Sequence, residues 1–530
     1  MLLVSNLVLD LDSSSEDIAA KIAKVLNVPK SRIKSFEYYR KSIDARNKES
    51  ITIVGSFLVS LDSEKGVRLG RKAQKVDESK LHPLISRENL ALDHQPAVVG
   101  LGPCGLFIAL YLARKGLRPL VFEQGKDVDS RNKDVEEFLK SGKLNVSSNI
   151  QFGEGGAGTY SDGKLTTSSN GELVKLVIEE LIKAGAPKEI GYLNKPHIGT
   201  DLLREVVKNI RQEICSLGGE VYFEHQFVDL IIKDDEVQGL IVENHGKKKE
   251  FKTKAVFLAI GHSARATFEM LYSKNIAMEK KAFAMGVRVE HYQETINKMQ
   301  YGRYADNKNL PPADYKIVKH LDNGRTVYTF CMCPGGEVIC ASSEEGGLVV
   351  NGMSLHGRSS NFANSALLVN VNPNDIEGES PLSGIYFQRK YEQLAYHHLY
   401  KAIGQNMADF LENKASKELN RLSSYRLGLI PGDVSTYFPT FISESLRLGL
   451  KEIGKQLPSF IGEDGLLIGL ESRSSSPLRI VRNSDYESLS LRGLYPCGEG
   501  AGYAGGIVTS AVDGIRAAQS FCKKIVAVLE

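Results

Sequence analysis

The six residues Gly100-Leu101-Gly102-Pro103-Cys104-Gly105 constrain this chain more than any other feature, because of what stands on either side of them. Before them PAVVG is a short apolar run, from Pro103 to Lys115 the pattern is helical, and RPLVFE comes next as a second apolar run. Strand, glycine turn, helix, strand is a βαβ unit of a parallel sheet. In such a unit the first glycine permits the tight turn and the second lets a pyrophosphate approach the backbone. The third lets the helix pack on the strand, and the helix N-terminus offers free N–H groups and partial positive charge. Glu123 closes the second strand, where an acid accepts hydrogen bonds from ribose hydroxyls. The unit predicts a dinucleotide site on Gly100, Gly102, Pro103, Cys104, Gly105, Glu123 and Gln124. The bare spacing recurs at Gly153-x-Gly155-x-x-Gly158 and Gly500-x-Gly502-x-x-Gly505. The former lacks a preceding buried strand, and the latter lies too near the C-terminus for another βαβ unit.

The C-terminal segment favours FAD over NAD. The strand LRGLYPCG ends at Gly498 and delivers Glu499 where an acid can hold ribityl hydroxyls. Gly505, Gly506 and Ile507 open a helix whose N-terminus would face the pyrimidine edge of a flavin, where negative charge develops on reduction. The other reading of this segment is a glycine loop that only permits close packing.

A chain of 530 residues exceeds one hydrophobic core, so two or three domains are expected. The expected fold is α/β: a Rossmann-type doubly wound FAD-binding domain with an antiparallel meander, a second α+β substrate-side domain and a small N-terminal α+β module. The boundaries fall at 1–92 for the module, 93–281 and 466–530 for the two parts of the FAD domain, and 282–465 for the substrate side. Val67 to Ser79, charged and short of apolar residues, reads as a connection. Gln388 to about Leu422 reads as a long helical stretch. With 67 basic and 64 acidic residues the net charge is +3, which gives no overall field towards nucleic acid or an anionic membrane. Seven scattered cysteines argue for a reducing compartment, read as the cytoplasm, and no apolar run is long enough for a membrane span. A small-molecule partner, anionic if arginines line its pocket, is expected; nucleic acid and membrane are not.

Several segments carry a resemblance: VVGLGPCGLFIALYLARKG with VFEQG, NIQFGEGGAGTYSDGKLTT, LAIGHSARATFEML, CMCPGGEVICASSEEGGLVVNGMSLHGRSSNFANSALLVNV and LYPCGEGAGYAGGIVTSAVDGIRAA. Over roughly residues 95–525 they resemble the family of uncharacterised FAD-dependent dehydrogenases (NAD(FAD)-utilising dehydrogenases), and more distantly the glutathione-reductase-like flavoproteins. The resemblance implies FAD, a two-domain core and oxidoreductase chemistry, and it names no substrate. It implies that Gly153, Glu154, Gly155, Gly156, Ala157, Gly158, Ser161, Asp162, Gly163 and Lys164, with Gly261 at the end of a buried strand, line the flavin and its pyrophosphate.

Catalytic candidates are few. Lys164 is expected to meet the N5 side of the ring, and His262, just after Gly261, could act as acid or base. Cys331, Cys333 and Cys340 lack the number and spacing of a structural zinc site. Arg358, Asn361, Asn364, Arg426, Arg473 and Arg479 could line an anionic pocket, with ordinary salt bridges the favoured reading. The function expected is hydride transfer through flavin N5, with NAD(P)H docking transiently; the alternatives are a flavin-dependent RNA-modifying enzyme and a non-catalytic FAD-binding protein.

Overall fold

The structure, a computed structural model, describes residues 1–167 and 171–529. The N-terminal module comprises β1 (Leu2–Asp10), α1 (Ser15–Leu26), β2 (Ile33–Asp44), β3 (Thr52–Leu61) and β4 (Ala73–Lys75), in a sheet of order β2-β3-β1-β4. Ser14 and Asp17 close a capping box on α1, and Asn27 ends it in the left-handed conformation. The stretch 67–79, expected as a connection, instead supplies β4, which pairs with β1. The backbone partners offered by that edge outweigh its polar composition.

Next come β5 (Ala97–Val99), α2 (Pro103–Arg114), β6 (Leu120–Phe122), α3 (Val128–Ser141), α4 (Glu172–Lys183), α5 (Thr200–Ser216) and β7 (Glu220–Tyr222). The antiparallel strands β8 (Gln226–Lys233), β9 (Glu236–Asn244) and β10 (Lys247–Lys252) lead to β11 (Val256–Leu258), α6 (Arg265–Ser273) and β12 (Met278–Lys280). The strands β11, β5, β6 and β7, joined by a strand from the C-terminal segment at Leu494–Pro496, form a five-stranded parallel sheet. Its period of two sorts the core. Val98, Val121 and Phe257 face α2, α4 and α5, while Val99, Phe122 and Leu258 face the three-stranded meander. Helix α2 is buried almost all round, as its run LFIALYLA requires.

The second half contains β13 (Phe283–Tyr292), α7 (Gln293–Tyr301), β14 (Val318–His320), β15 (Thr326–Cys333), β16 (Glu337–Cys340), β17 (Val350–Met353), β18 (Phe362–Val371) and α8 (Ser383–Leu394). It continues through β19 (Ala402–Asn406), α9 (Met407–Leu411), β20 (Leu429–Pro431), α10 (Thr440–Gln456), β21 (Leu466–Glu471), β22 (Leu478–Ile480), β23 (Leu494–Pro496) and α11 (Ile507–Leu529). Seven strands form one sheet of order β14-β15-β18-β13-β21-β19-β20. Two expectations are corrected here. The helical stretch from Gln388 ends at Leu394, and β19 and α9 occupy the next part of the chain, because AIGQN joins the sheet beside β21. The expected boundary at 465/466 also moves: β21 pairs with β13 and β19, so the return to the parallel sheet comes after Glu471. There β22 pairs with β12, bringing both chain crossings between the two sheets side by side.

Candidate active site

The C-terminal ends of β5, β6, β11 and β23 all open on one cavity of about 780 Å³, the edge at which parallel α/β sheets bind their ligands. Gly100 adopts φ 94°, and a Cβ there would lie 2.4 Å from the Ala259 carbonyl oxygen. At Gly105 a Cβ would sit 1.9 Å from the Gly100 oxygen, so this glycine serves the contact of helix with turn. Gly102 differs: its missing Cβ would meet only an ordinary van der Waals contact, 3.7 Å from Gly156 Cα. It is also the N-cap of α2 and gives it no side-chain cap, so the amides of the first turn remain for a ligand. Bare backbone on both sides and uncapped donors between them fit a pyrophosphate.

Most predicted site residues line this cavity: Gly100, Gly102, Pro103, Cys104, Glu123, Gln124, Gly156, Ala157, Gly158, Ser161, Asp162, Gly163, Lys164, Gly261, His262, Glu499, Gly505, Gly506 and Ile507. Gly105, Gly155 and Gly498 do not; a Cβ on Gly155 would strike Thr159 at 2.0 Å and one on Gly498 would meet Cys104 at 2.9 Å. They are packing positions one layer behind the wall. Glu154, also expected at the flavin, is fully buried, accepting from Val128 N–H and holding Arg211 at 2.6 Å.

Glu123 does more than the sequence suggests. Leu101 N–H donates to its Oε2, and Gly125 and Gly153 N–H donate to its Oε1, each at 2.9 Å. Three of a carboxylate's roughly four acceptor positions are taken by backbone from three different loops. Lys164, expected beside N5, lines the cavity and donates to the Met332 carbonyl on β15. Asp162 takes Arg358 at 2.6 and 3.1 Å and Ser354 at 2.7 Å. Burial opposes its ionisation, but Arg358 and Lys164 outweigh it and hold the carboxyl below the usual range. Burial, with Arg473 and Arg265 nearby, pushes His262 down to about 3, so its imidazole is neutral, and Nδ1 lies 3.0 Å from Ser263 Oγ. Burial pushes Glu499 up to about 7, against the pull of Lys281 and a backbone hydrogen bond at Gly506.

The four arginines pair with acids, Arg358 with Asp162, Arg426 with Glu337, Arg473 with Glu392 and Arg479 with Glu279, but Arg358 and Arg473 are largely buried and also line the cavity. Asn361 is not among the cavity-lining residues, and Asn364 is buried against Arg288. Among the described residues no group of three or more His, Cys, Asp or Glu side chains is placed to hold a metal.

Two buried networks were not anticipated. In one, Glu392 on α8 takes two hydrogen bonds from Arg265, two from Arg473 and one from Ser472, all within 3.0 Å. In the other, four adjacent strands contribute to one cluster. Arg288 on β13, wholly buried, donates Nη1 to Glu471 on β21 at 2.9 Å, Nε to Asn364 on β18 at 2.8 Å, and Nη2 to the Cys331 carbonyl on β15 at 2.6 Å. The signal was present in the sequence: a lone arginine within FAMGVRVEHY, flanked by apolar residues, has to be buried and therefore partnered. Cys331, at a bulge in β15 and with φ 43°, lines the cavity together with Glu471.

Residues 282–474 match the family described as FAD-dependent protein, C-terminal domain-like. Residues 1–60 match a domain of unknown function. An uncharacterised protein of Clostridium beijerinckii is 45% identical over 528 residues, covering 98% of both chains. Among solved structures, a flavin-dependent brominase shares 12% identity over 82% of this chain and 79% of that one, with a TM-score of 0.37. A geranylgeranyl bacteriochlorophyll reductase-like protein of Thermoplasma acidophilum shares 15% over 82% and 79%, with a TM-score of 0.34. These structures are too distant to speak for the reaction.

Proposed function

From the premise that this chain belongs to the FAD-dependent protein family and that FAD is its cofactor, we propose that it is an oxidoreductase moving a hydride between a small substrate and flavin N5. One observation carries this reading: a single cavity runs from the glycine turn of the parallel sheet to the buried Arg288–Glu471 pair of the seven-stranded sheet. A non-catalytic FAD carrier has no need of an ionisable cluster at the far end of its binding site.

FAD supplies the two-electron acceptor. The protein supplies the rest. The uncapped start of α2 would hold the pyrophosphate and the free acceptor position of Glu123 would take a ribose hydroxyl. Glu499 would hold the ribityl chain, and the start of α11 at Gly506 and Ile507 would stabilise charge at the pyrimidine edge. The β15 bulge, pinned by Lys164 and Arg288, closes the substrate side and excludes water. NAD(P)H enters as a transient reductant, since no second complete βαβ fingerprint is present. None of the described helices is long and apolar enough to cross a membrane, and the seven thiols are free; both accord with work in the cytoplasm.

The test is anaerobic titration of the purified holoprotein with NADH, NADPH and a panel of alcohols, amines, and hydroxy and amino acids. Bleaching of the flavin band by at least one of them is expected. A flavin that only dithionite reduces would leave an FAD carrier.

A further inference from the structure

Glu471 is a buried carboxyl with a divided environment. Its Oε2 is fixed by Arg288. Its Oε1 accepts no hydrogen bond among the described residues, yet is not among the sealed, unpartnered atoms, so it opens on the cavity that Glu471 lines. Much has been given up to hold this geometry. Asn364 spends its oxygen on Arg288 and leaves its buried Nδ2 without a partner among the described residues, which is unfavourable for a polar atom away from water. At Gly352 any side chain is excluded, because a Cβ would stand 2.2 Å from Arg288 Nη2 and 2.3 Å from Asn364 Oδ1.

Resting on the oxidoreductase reading above, we propose that Glu471 is the catalytic residue that takes the substrate's proton when its hydride goes to the flavin, and that the substrate carries an H–C–O–H or H–C–N–H group. The C–H bond breaks and its electron pair leaves with the hydrogen, reducing the flavin. The O–H or N–H bond breaks, its proton passes to the open Oε1, and a C=O or C=N bond forms. Arg288 is the positioning residue, aiming Oε1 by holding Oε2.

The groups that face Glu471 fit this role. Burial pushes its carboxyl above the ordinary range, and Arg288 opposes this only in part. From β15 it meets Tyr328 and Cys331, with Cys333 beside Arg288. Burial raises Tyr328 and Cys333, while Cys331 is exposed on the cavity wall, where desolvation within the recess pushes its thiol up to about 12, so all three stay neutral. The adjoining β17 and β19, VNGM and AIGQN, carry no ionisable side chain. Lys164, on the far wall, acts on Cys331 and is bonded to Met332. Within this cluster, then, Glu471 is the group left to exchange a proton.

Reduction of a nearby flavin places negative charge in the cavity and should draw a proton onto Glu471 without any substrate. The experiment measures the reduction potential of the FAD-loaded protein against pH, by dye equilibration, for the parent and Glu471→Gln. One extra proton per two electrons is a tenfold change in the equilibrium per pH unit, or ~30 mV. The parent should show an interval above the ordinary carboxylate range that is steeper by this amount than the same interval in E471Q. Identical slopes for the parent and E471Q would overturn the proposal. If E471Q does not fold, Glu471→Asp serves instead: it keeps a proton site and must move the interval, and an unmoved interval would also overturn the proposal. A protein that cannot be loaded with FAD refutes the oxidoreductase reading; flat slopes in the loaded protein refute the role of Glu471 alone.

Discussion

Gly102 and Gly105 occupy one glycine pattern yet do different things, and substitution separates them. Gly105→Ala pushes a methyl into the Gly100 carbonyl at 1.9 Å and should leave little folded protein. Gly102→Ala adds its methyl at ordinary contact distance, 3.7 Å from Gly156 Cα, so the apoprotein should melt as the parent does. The same methyl stands where a pyrophosphate must approach, so FAD should bind at least about tenfold more weakly, roughly 1.4 kcal/mol. Thermal melts beside FAD titrations check both, and equal FAD affinity for G102A and the parent would remove the pyrophosphate from this turn. Glu123→Ala is expected to weaken FAD binding as well, but it also strands the amides of Leu101, Gly125 and Gly153. Each buried donor left without an acceptor costs about 1–3 kcal/mol. The apoprotein should therefore lose several kcal/mol in urea unfolding, whereas a pure ligand contact would leave its midpoint unchanged.

Among elements, α8 joins the two halves through Glu392, which two arginines hold although burial opposes its charge. Removing one partner of a buried ion pair leaves the other charges uncompensated at about 3–5 kcal/mol. Glu392→Gln should lose that much, measured by denaturant unfolding, and a loss under about 1 kcal/mol, the scale of an exposed pair, would show the pairs to be dispensable. Because its folded carboxyl is held well below the usual range, this contribution is present above the unfolded value near 4.5 and fades only as the pH falls towards the depressed value.

How legible these elements were depends on how local their causes are. The unit β5-α2-β6 was readable because apolar runs, glycines and a terminal acid lie within one short segment. The long helix expected from Gln388 was not, because AIGQN becomes a strand only through its pairing with β21, a partner some 60 residues away in sequence. The neighbours of Lys164 in sequence point it to the cavity that it lines, but not to its hydrogen-bond partner, Met332 on the seven-stranded sheet. Arg288 and Glu471 form the same kind of case, each a buried charge flanked by apolar residues whose meaning lies on the neighbouring strand.

On the scale of the molecule, the N-terminal module is less separate than its sequence suggests. Leu2, Val4 and Phe57 belong to the same apolar cluster as Met285, Val287 and Leu467 of the seven-stranded sheet. A chain beginning at residue 93 would expose that shared face, and it is expected to aggregate even when supplied with FAD. A monodisperse, yellow truncated protein on size-exclusion chromatography would instead establish the module as an independent attachment.

The pairing of β12 with β22 has a mechanical side. The chain passes between the two sheets twice, and both passages are laced to each other as Met278–Lys280 against Leu478–Ile480. Two strips of tape on one edge make a spine, as in a folded card, and leave bending about that edge as the compliant direction. Away from it, Arg265 with Glu392, Arg358 with Asp162 and Lys164 with the Met332 carbonyl act as clasps between the covers. A ligand as large as FAD is then expected to enter by springing the clasps with the spine intact.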